Sequence, residues 1–272
     1  MTATTAAEQA LRDGDPFAAL KALQNDVRAR PADGKLRVFL FQLLCVLGQW
    51  ERALNQLDVA AQLDPGALAM AQTYREAVRC EALRAHVFEG SKAPMVFGEP
   101  EQWLAYLIEA MLLTGRGRVD EAQALRTKAF EQAPESGGTL DERAFAWIAD
   151  ADMRLGPVLE GVINGRYYWV PFARILRLDI EAPSDLRDVV WTPAHLQLEN
   201  GGEAYALIPT RYPGTEKVED ASLLLARRTE WEEPRPAFFC GLGQRVLATD
   251  LGEMSLMDLR QVSFAGAAAQ EA

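Results

Sequence analysis

The feature that most constrains this chain is a pattern that repeats. Gly14, Ala19, Leu23 and Pro31 recur in the same order and at the same intervals as Gly48, Ala53, Leu57 and Pro65. A looser third copy, Gly117, Ala122, Ala129 and Pro134, follows Gly48, Ala53, Ala60 and Pro65 after two periods plus one position. A period of about 34 residues is that of tetratricopeptide helix pairs. The residue types suit it physically. Gly ends the first helix of a pair where a positive φ is needed. A small Ala lets the two helices approach, the apolar residue one turn on fills the gap between repeats, and Pro stops the second helix. The stretch 66–99 then reads as a degenerate repeat or one long helix.

Local signals place the helices. Residues 5–12 read as a first helix. Asp15 caps the next, with Pro16 at its first position and Phe17, Leu20, Leu23 and Val27 on one face. Asp33 caps the strongly apolar run up to Leu47. Helices follow at 50–62, at 67–90, from Glu99 and Pro100, and at 118–132, and the segment 134–139 reads as a linker. One more helix is expected over 141–153, with Asp150 and Asp152 at its end, and a short one over 157–163.

Beyond these the period becomes two. Tyr167 to Val170 and Ile175 to Ile180 read as strands, the latter with Leu176, Leu178 and Ile180 on one face. The runs 195–199 and 203–208 flank Asn200-Gly201-Gly202, a hairpin signal. SLLLARRT, QRVLATD and EMSLMDLR also read as strands, and 265–272 as a frayed tail. The expected architecture is α+β and multidomain: tetratricopeptide-like α-helical repeats over 1–138, then a small β-barrel or sandwich-like domain over 139–272 preceded by one or two helices.

Composition narrows the function. A net charge of −11 opposes nonspecific nucleic-acid binding. The charge is uneven: residues 1–138 carry 15 basic and 18 acidic side chains, residues 139–272 carry 13 and 21. No apolar run is long enough for a membrane helix, and the N-terminus lacks secretory-signal character. Three separated cysteines without a CxxC pair suit free thiols in the cytoplasm.

Chemical motifs are sparse. His86 and His195 have no ligand-spaced neighbours, so no metal or other cofactor is expected. GLGQR at 241–245 lacks the Gly-Lys-Ser of a phosphate loop and reads as a turn into a strand. Asp150, Asp152 and Arg154 read as local ion pairs, the aromatics of RYYWVPF at 166–172 as core, and Ser184 with Asp185 as the cap of a helical turn.

Stacked helix pairs offer a concave face to peptides or helices. In the repeat register that face falls near Glu8, Leu11 and Arg12 in the first pair. In the second it falls near Lys35, Val38, Gln42 and Cys45, the candidate partner-binding residues. Their mix of apolar and few polar groups suits an amphipathic helix. Two other readings stand beside this groove. The β half could be an enzyme-like ligand- or metal-binding domain with the repeats as scaffold. Alternatively, the groove could be closed by the chain's own β domain or by a second copy.

Long motifs then point to a family. VRARPADGKLRVFLFQLLCVLGQWERALNQLDVAAQLDP (27–65), WIADADMRLGPVLEGVINGRYYWVPF (147–172), DLRDVVWTPAHL (185–196), IPTRYPG (208–214), RRTEW (227–231) and GLGQRVLATD (241–250) resemble the ImpE/TagJ accessory proteins of bacterial type VI secretion, over about 10–263. The resemblance implies a cytoplasmic accessory protein, not an enzyme. It also implies two partners: the N-terminal helix of the sheath small subunit TssB, and the ClpV-type AAA+ ATPase that disassembles the sheath. It carries no catalytic residues.

Overall fold

The structure, a computed structural model, describes residues 5–265. Helices come first: α1 (Ala6–Arg12), α2 (Pro16–Ala29), α3 (Gly34–Val46), α4 (Trp50–Leu63), α5 (Leu68–Phe88), α6 (Gln102–Gly115) and α7 (Val119–Gln132). A two-residue strand, β1 (Met95–Val96), sits between α5 and α6. Strands then follow as β2 (Gly138–Leu140), β3 (Arg143–Phe145), β4 (Ile148–Asp150), β5 (Val158–Ile163), β6 (Arg166–Pro171), β7 (Ile175–Ile180), β8 (Trp191–Leu198) and β9 (Glu203–Pro209). After a four-residue helix α8 (Ala221–Leu224) come β10 (Thr229–Arg235), β11 (Phe238–Gly243), β12 (Val246–Thr249), β13 (Gly252–Ser255) and β14 (Gln261–Phe264).

The helices start where local chemistry starts them. The Asp15 carboxylate accepts from the amides of Phe17 (3.0 Å) and Ala18 (2.8 Å), and Pro16 opens α2. Asp33 does the same for Lys35 and Leu36 of α3. Helices α1 and α2, α3 and α4, and α6 and α7 pack as pairs. The glycine closing the first helix of each pair has positive φ: +84° at Gly14, +64° at Gly48 and +73° at Gly117. Ala19, Ala53 and Ala122 are fully buried, as are Leu23 and Leu57. The third pair breaks the pattern at the position that corresponds to Leu57. Arg126 stands there, buried, its guanidinium 4.1 Å from the centre of the Phe238 ring.

Nine strands form one sheet in the order β1-β6-β5-β9-β8-β7-β14-β2-β3. The order has two ends, so hydrogen bonding does not close this sheet into a barrel, one of the two forms expected for this half. β1, from the segment between α5 and α6, pairs parallel with β6. Two smaller sheets, β10-β11 and β13-β12-β4, complete the half. The predicted hairpin forms: β8 and β9 pair antiparallel, and Asn200 Oδ1 accepts from the Gly202 amide at 2.9 Å.

Three expected elements are corrected. The helix predicted over 141–153 is absent; β3 and β4 occupy it, with Asp141 and Glu142 at positive φ in the turn after β2. The short helix over 157–163 is strand β5. All six of its residues are buried, so no alternation marks it as a strand. SLLLARR is not a strand: Asp220 caps the single turn α8, and Ala226 reverses the chain at φ +51°. The linker at 134–139 already enters β2 at Gly138. In β7 a register irregularity between Ile175 and Arg177 turns Ile175, Leu178 and Ile180 inward and leaves Leu176 half-buried. All but the first residue of the predicted tail lies outside the described residues.

One hydrophobic cluster joins the halves. It includes Leu23, Phe41, Leu44 and Leu57 from the helices, and Val190, Trp191, Leu224 and Leu225 from beyond β7. Trp191 lies 5.7 Å from Tyr74 and 6.0 Å from Trp50, centre to centre.

Candidate functional site: the inner face of the helix pairs and the ionic cluster behind it

The four predicted groove residues share α3 but not one environment. Lys35 is exposed and Val38 half-buried, whereas Gln42 is buried and Cys45 is inaccessible to solvent. Burial pushes the Cys45 thiol well above its ordinary range. The cover is the chain itself. The helical turn 186–189 packs against α3, and Trp191, Leu224 and Leu225 join the same core. A partner can therefore reach this helix at its N-terminal half, near Lys35 and Val38, and not at Gln42 or Cys45.

Two arginines fasten that cover. Arg211, buried, donates to Val46 O (2.7 Å), Leu224 O (2.6 Å) and Cys45 O (3.4 Å). Arg227 donates to Leu11 O (2.7 Å) and Arg12 O (3.5 Å). Leu11 and Arg12 are one repeat period before Cys45 and Val46. Thus two guanidiniums from the sheet-rich half occupy equivalent helix C-termini in successive pairs. There the unpaired carbonyls and the negative end of the helix dipole favour a cation. Burial holds the Arg211 guanidinium down at about 10.

Behind this contact lies a cluster of buried ions. Glu160, fully buried on β5, accepts from Arg84 of α5 through Nε (2.8 Å) and Nη2 (2.7 Å), from Tyr167 OH (2.6 Å) and from Arg245 Nη2. Arg245, also fully buried, donates to Asp150 and to Pro209 O (2.8 Å). Asp150 additionally accepts from Tyr212 OH (3.1 Å) and the Asp152 amide (2.9 Å). Asp152 holds Arg154 through Nε (2.9 Å) and Nη2 (2.5 Å), and accepts from the Gly241 amide (2.9 Å). Arg84 also donates to Arg211 O (2.8 Å) and, through Nη1, to Glu81 (3.3 Å). Glu81 in turn accepts from Trp191 Nε1 (2.8 Å).

The carboxylates respond differently. Burial alone would raise the Glu160 carboxyl, but Arg84 and Arg245 outweigh it and hold it at about 2. At Asp150 burial wins over the pull of Arg245 and pushes the carboxyl up to about 6.

Asp150 and Asp152 thus lie not at a helix end but on β4 and in the turn after it, and Asp150 pairs with a residue 95 positions away. Arg154 keeps the local pair expected of it. Tyr167, Trp169 and Phe172 are core, as expected. Asp185 caps the turn 186–189, while Ser184 donates through N (2.6 Å) and Oγ (3.3 Å) to Asp188. Spacing alone does not reveal Glu160, Arg211 and Arg245 as one group. The signal was a single charge inside an apolar run, as in VLEGVI and QRVLA, which a fold can bury only with a partner. Among the described residues, no group of three His, Cys, Asp or Glu could hold a metal ion.

Residues 142–263 match the ImpE protein family. Over 258 residues, 95% of this chain and 90% of the relative, the sequence is 51% identical to the type VI secretion system accessory component TagJ of Pseudomonas aeruginosa. The chain belongs to the ImpE/TagJ family. Its fold matches the crystal structure of a Vibrio parahaemolyticus protein, with a TM-score of 0.87 and 27% identity, over 97% of this chain and 99% of the other. The ImpE/TagJ motifs are the ones that build the junction: Asp150, Asp152, Glu160, Arg211 and Arg245 all come from them. Its place in the family gives the chain an accessory role in type VI secretion. No helix among the described residues is long and apolar enough to cross a membrane.

Proposed function

We propose that this chain is a non-catalytic adaptor of a bacterial type VI secretion system, acting in the cytoplasm. It binds the N-terminal helix of the sheath small subunit and assists recognition of that subunit by the sheath-disassembling AAA+ ATPase. Residues 1–138 serve as a tetratricopeptide-like repeat domain and 139–272 as a mainly β domain.

The observation that carries the reading is the relative identical at half its positions over nearly the whole chain, named as an accessory component of that system. The chemistry of the motif residues supports it. Asp150, Asp152, Glu160 and Arg245 are buried and bonded to one another or to their neighbours, so they hold the fold and present no reactive group to a substrate. Within this reading the partner helix docks across the accessible half of α3, on Lys35 and Val38. Gln42 and Cys45 support that face from behind.

Calorimetric titration with a peptide copying the N-terminal helix of the cognate sheath small subunit tests this. Saturable one-to-one binding that Val38→Asp abolishes, with the fold intact, is expected. Undiminished binding to Val38→Asp would move the contact off α3, and no binding to the folded protein would remove the sheath helix as partner. A second reading, a ligand-binding β half scaffolded by the repeats, is favoured by one feature, a small polar cavity at the junction.

A further inference from the structure

That cavity, of about 190 Å³, opens where α4, α5 and the turn 213–217 meet. It is larger than the roughly 150 Å³ that takes up benzene in an engineered protein core. It is smaller than the about 300 Å³ at which drug-sized pockets begin. Its walls come from both halves of the molecule: Trp50, Glu81 and Phe88 from the helices, Arg154, Glu216 and Lys217 from beyond β4.

Hydrogen-bonding capacity is left over here in an ordered way. Arg154 spends Nε and Nη2 on Asp152, while Nη1 has no protein acceptor among the described residues; the side chain is 17% exposed. Lys217 at the rim is exposed and forms no ion pair among the described residues. On the acid side, each Glu81 oxygen accepts one hydrogen bond, from Trp191 and from Arg84, and can accept another. Glu216 uses Oε2 on the Gly214 amide (3.1 Å) and keeps Oε1. Phe88 supplies an apolar wall and already lies under the guanidiniums of Arg84 and Arg154, at 5.6 and 5.1 Å from the ring centre.

The cavity therefore presents both signs of charge and an aromatic surface in a small volume. A phosphate would meet Glu81 and Glu216, and a bare cation would meet Arg154 and Lys217. A molecule carrying both signs satisfies both sets. We propose that this cavity binds a small zwitterion of the α-amino-acid class. The carboxylate lies on Arg154 Nη1 and Lys217, the ammonium lies on Glu81 and Glu216, and the side chain packs on Phe88 and Trp50. The ligand bridges the helices and the sheet-rich half. The proposal does not depend on the adaptor reading.

The test uses the full chain, a panel of free amino acids at millimolar concentration, and the same compounds N-acetylated or as carboxamides. A ligand that binds only the folded state raises Tm, by an amount that grows with the logarithm of its concentration relative to Kd. At least one free amino acid should raise Tm and give calorimetric heat, and both blocked forms should lose binding tenfold or more. Lys217→Gln and Glu216→Gln, at the rim, should each weaken binding about tenfold while melting as the wild type does without ligand. Three results would each overturn the proposal: no response to any free amino acid, equal binding of the blocked forms, or unchanged affinity in both rim variants.

Discussion

The helical residues 6–132 and the strand-rich residues 138–264 both have apolar interiors, but the second adds a set of buried charges paired with one another. In the first two helix pairs the buried positions that repeat are apolar: Ala19 and Ala53, Leu23 and Leu57, each with no exposed surface. Where the strand-rich half meets the helices it carries Glu160, Arg245, Asp150 and Asp152, also buried but charged. The first kind of core tolerates local change and loses stability in proportion to the volume removed. The second depends on every partner being present, since a lone buried charge costs far more than a missing methylene. The border between them, at Arg84, Arg211 and Trp191, uses both kinds of contact. There the charged half grips the helices.

The difference can be broken most sharply at Arg245. Arg245→Met leaves Asp150 and Glu160 short of a partner and should cost about 3–5 kcal/mol. Leu57→Ala, its counterpart in the helices, should cost about 2–5 kcal/mol and leave the rest of the fold cooperative. Urea unfolding of both variants measures this, and an Arg245→Met protein as stable as wild type would remove the ionic cluster from the account.

Acid should separate the two carboxylates next. Glu160 titrates in the fold at about 2, below the ordinary range. Its contribution is therefore present above that range and is lost as pH falls towards 2. Asp150 is raised to about 6, so its contribution favours the fold below the ordinary carboxylate range and is lost as pH rises through 6. Urea midpoints should thus show wild type gaining on Glu160→Gln as pH rises from 2 to 5. Wild type should instead lose ground to Asp150→Asn between pH 4 and 7. The same trend for both pairs would contradict the different environments assigned to them.

The two arginine clamps should differ in strength although they grip equivalent carbonyls. Arg211→Met strands Val46 O and Leu224 O inside the protein, at about 1–3 kcal/mol. Arg227 is exposed, so Arg227→Met should fall within about 1 kcal/mol. Equal losses by thermal melting would show that burial does not set the difference.

The smallest effect, with the opposite sign, is expected at Arg126. Its Nε and Nη2 are buried without hydrogen-bond partners among the described residues, and it stands where the first two pairs carry leucine. Arg126→Leu should be neutral or stabilising in the same melting assay, and a marked loss would mean that the stack on Phe238 outweighs the unpaired nitrogens.

The helices were legible because their signals are local: Asp15, Pro16, Asp33 and the positive-φ glycines each act within one turn. The hairpin at Asn200 was legible for the same reason. The strands over 143–163 were not, because β3 and β4 have three residues each and β5 is buried on both faces, which removes any alternation. α8 misled through its leucines, although Asp220 stood at its cap. As for the site, the spacing placed Lys35, Val38, Gln42 and Cys45 on one helix but could not show that the turn 186–189 packs against that helix or that Trp191 joins the core around Cys45. That contact joins segments from opposite halves of the chain, and no local pattern encodes it.

Arg84, Arg211 and the shared cluster around Trp191 should make the two halves one cooperative unit. Native-state hydrogen exchange read by mass spectrometry tests it directly, by comparing the slowest amides of α3 with those of β8. The same opening free energy is expected for both, falling together in Arg245→Met. Slow amides in β8 that keep their protection while α3 opens separately, in wild type, would contradict it.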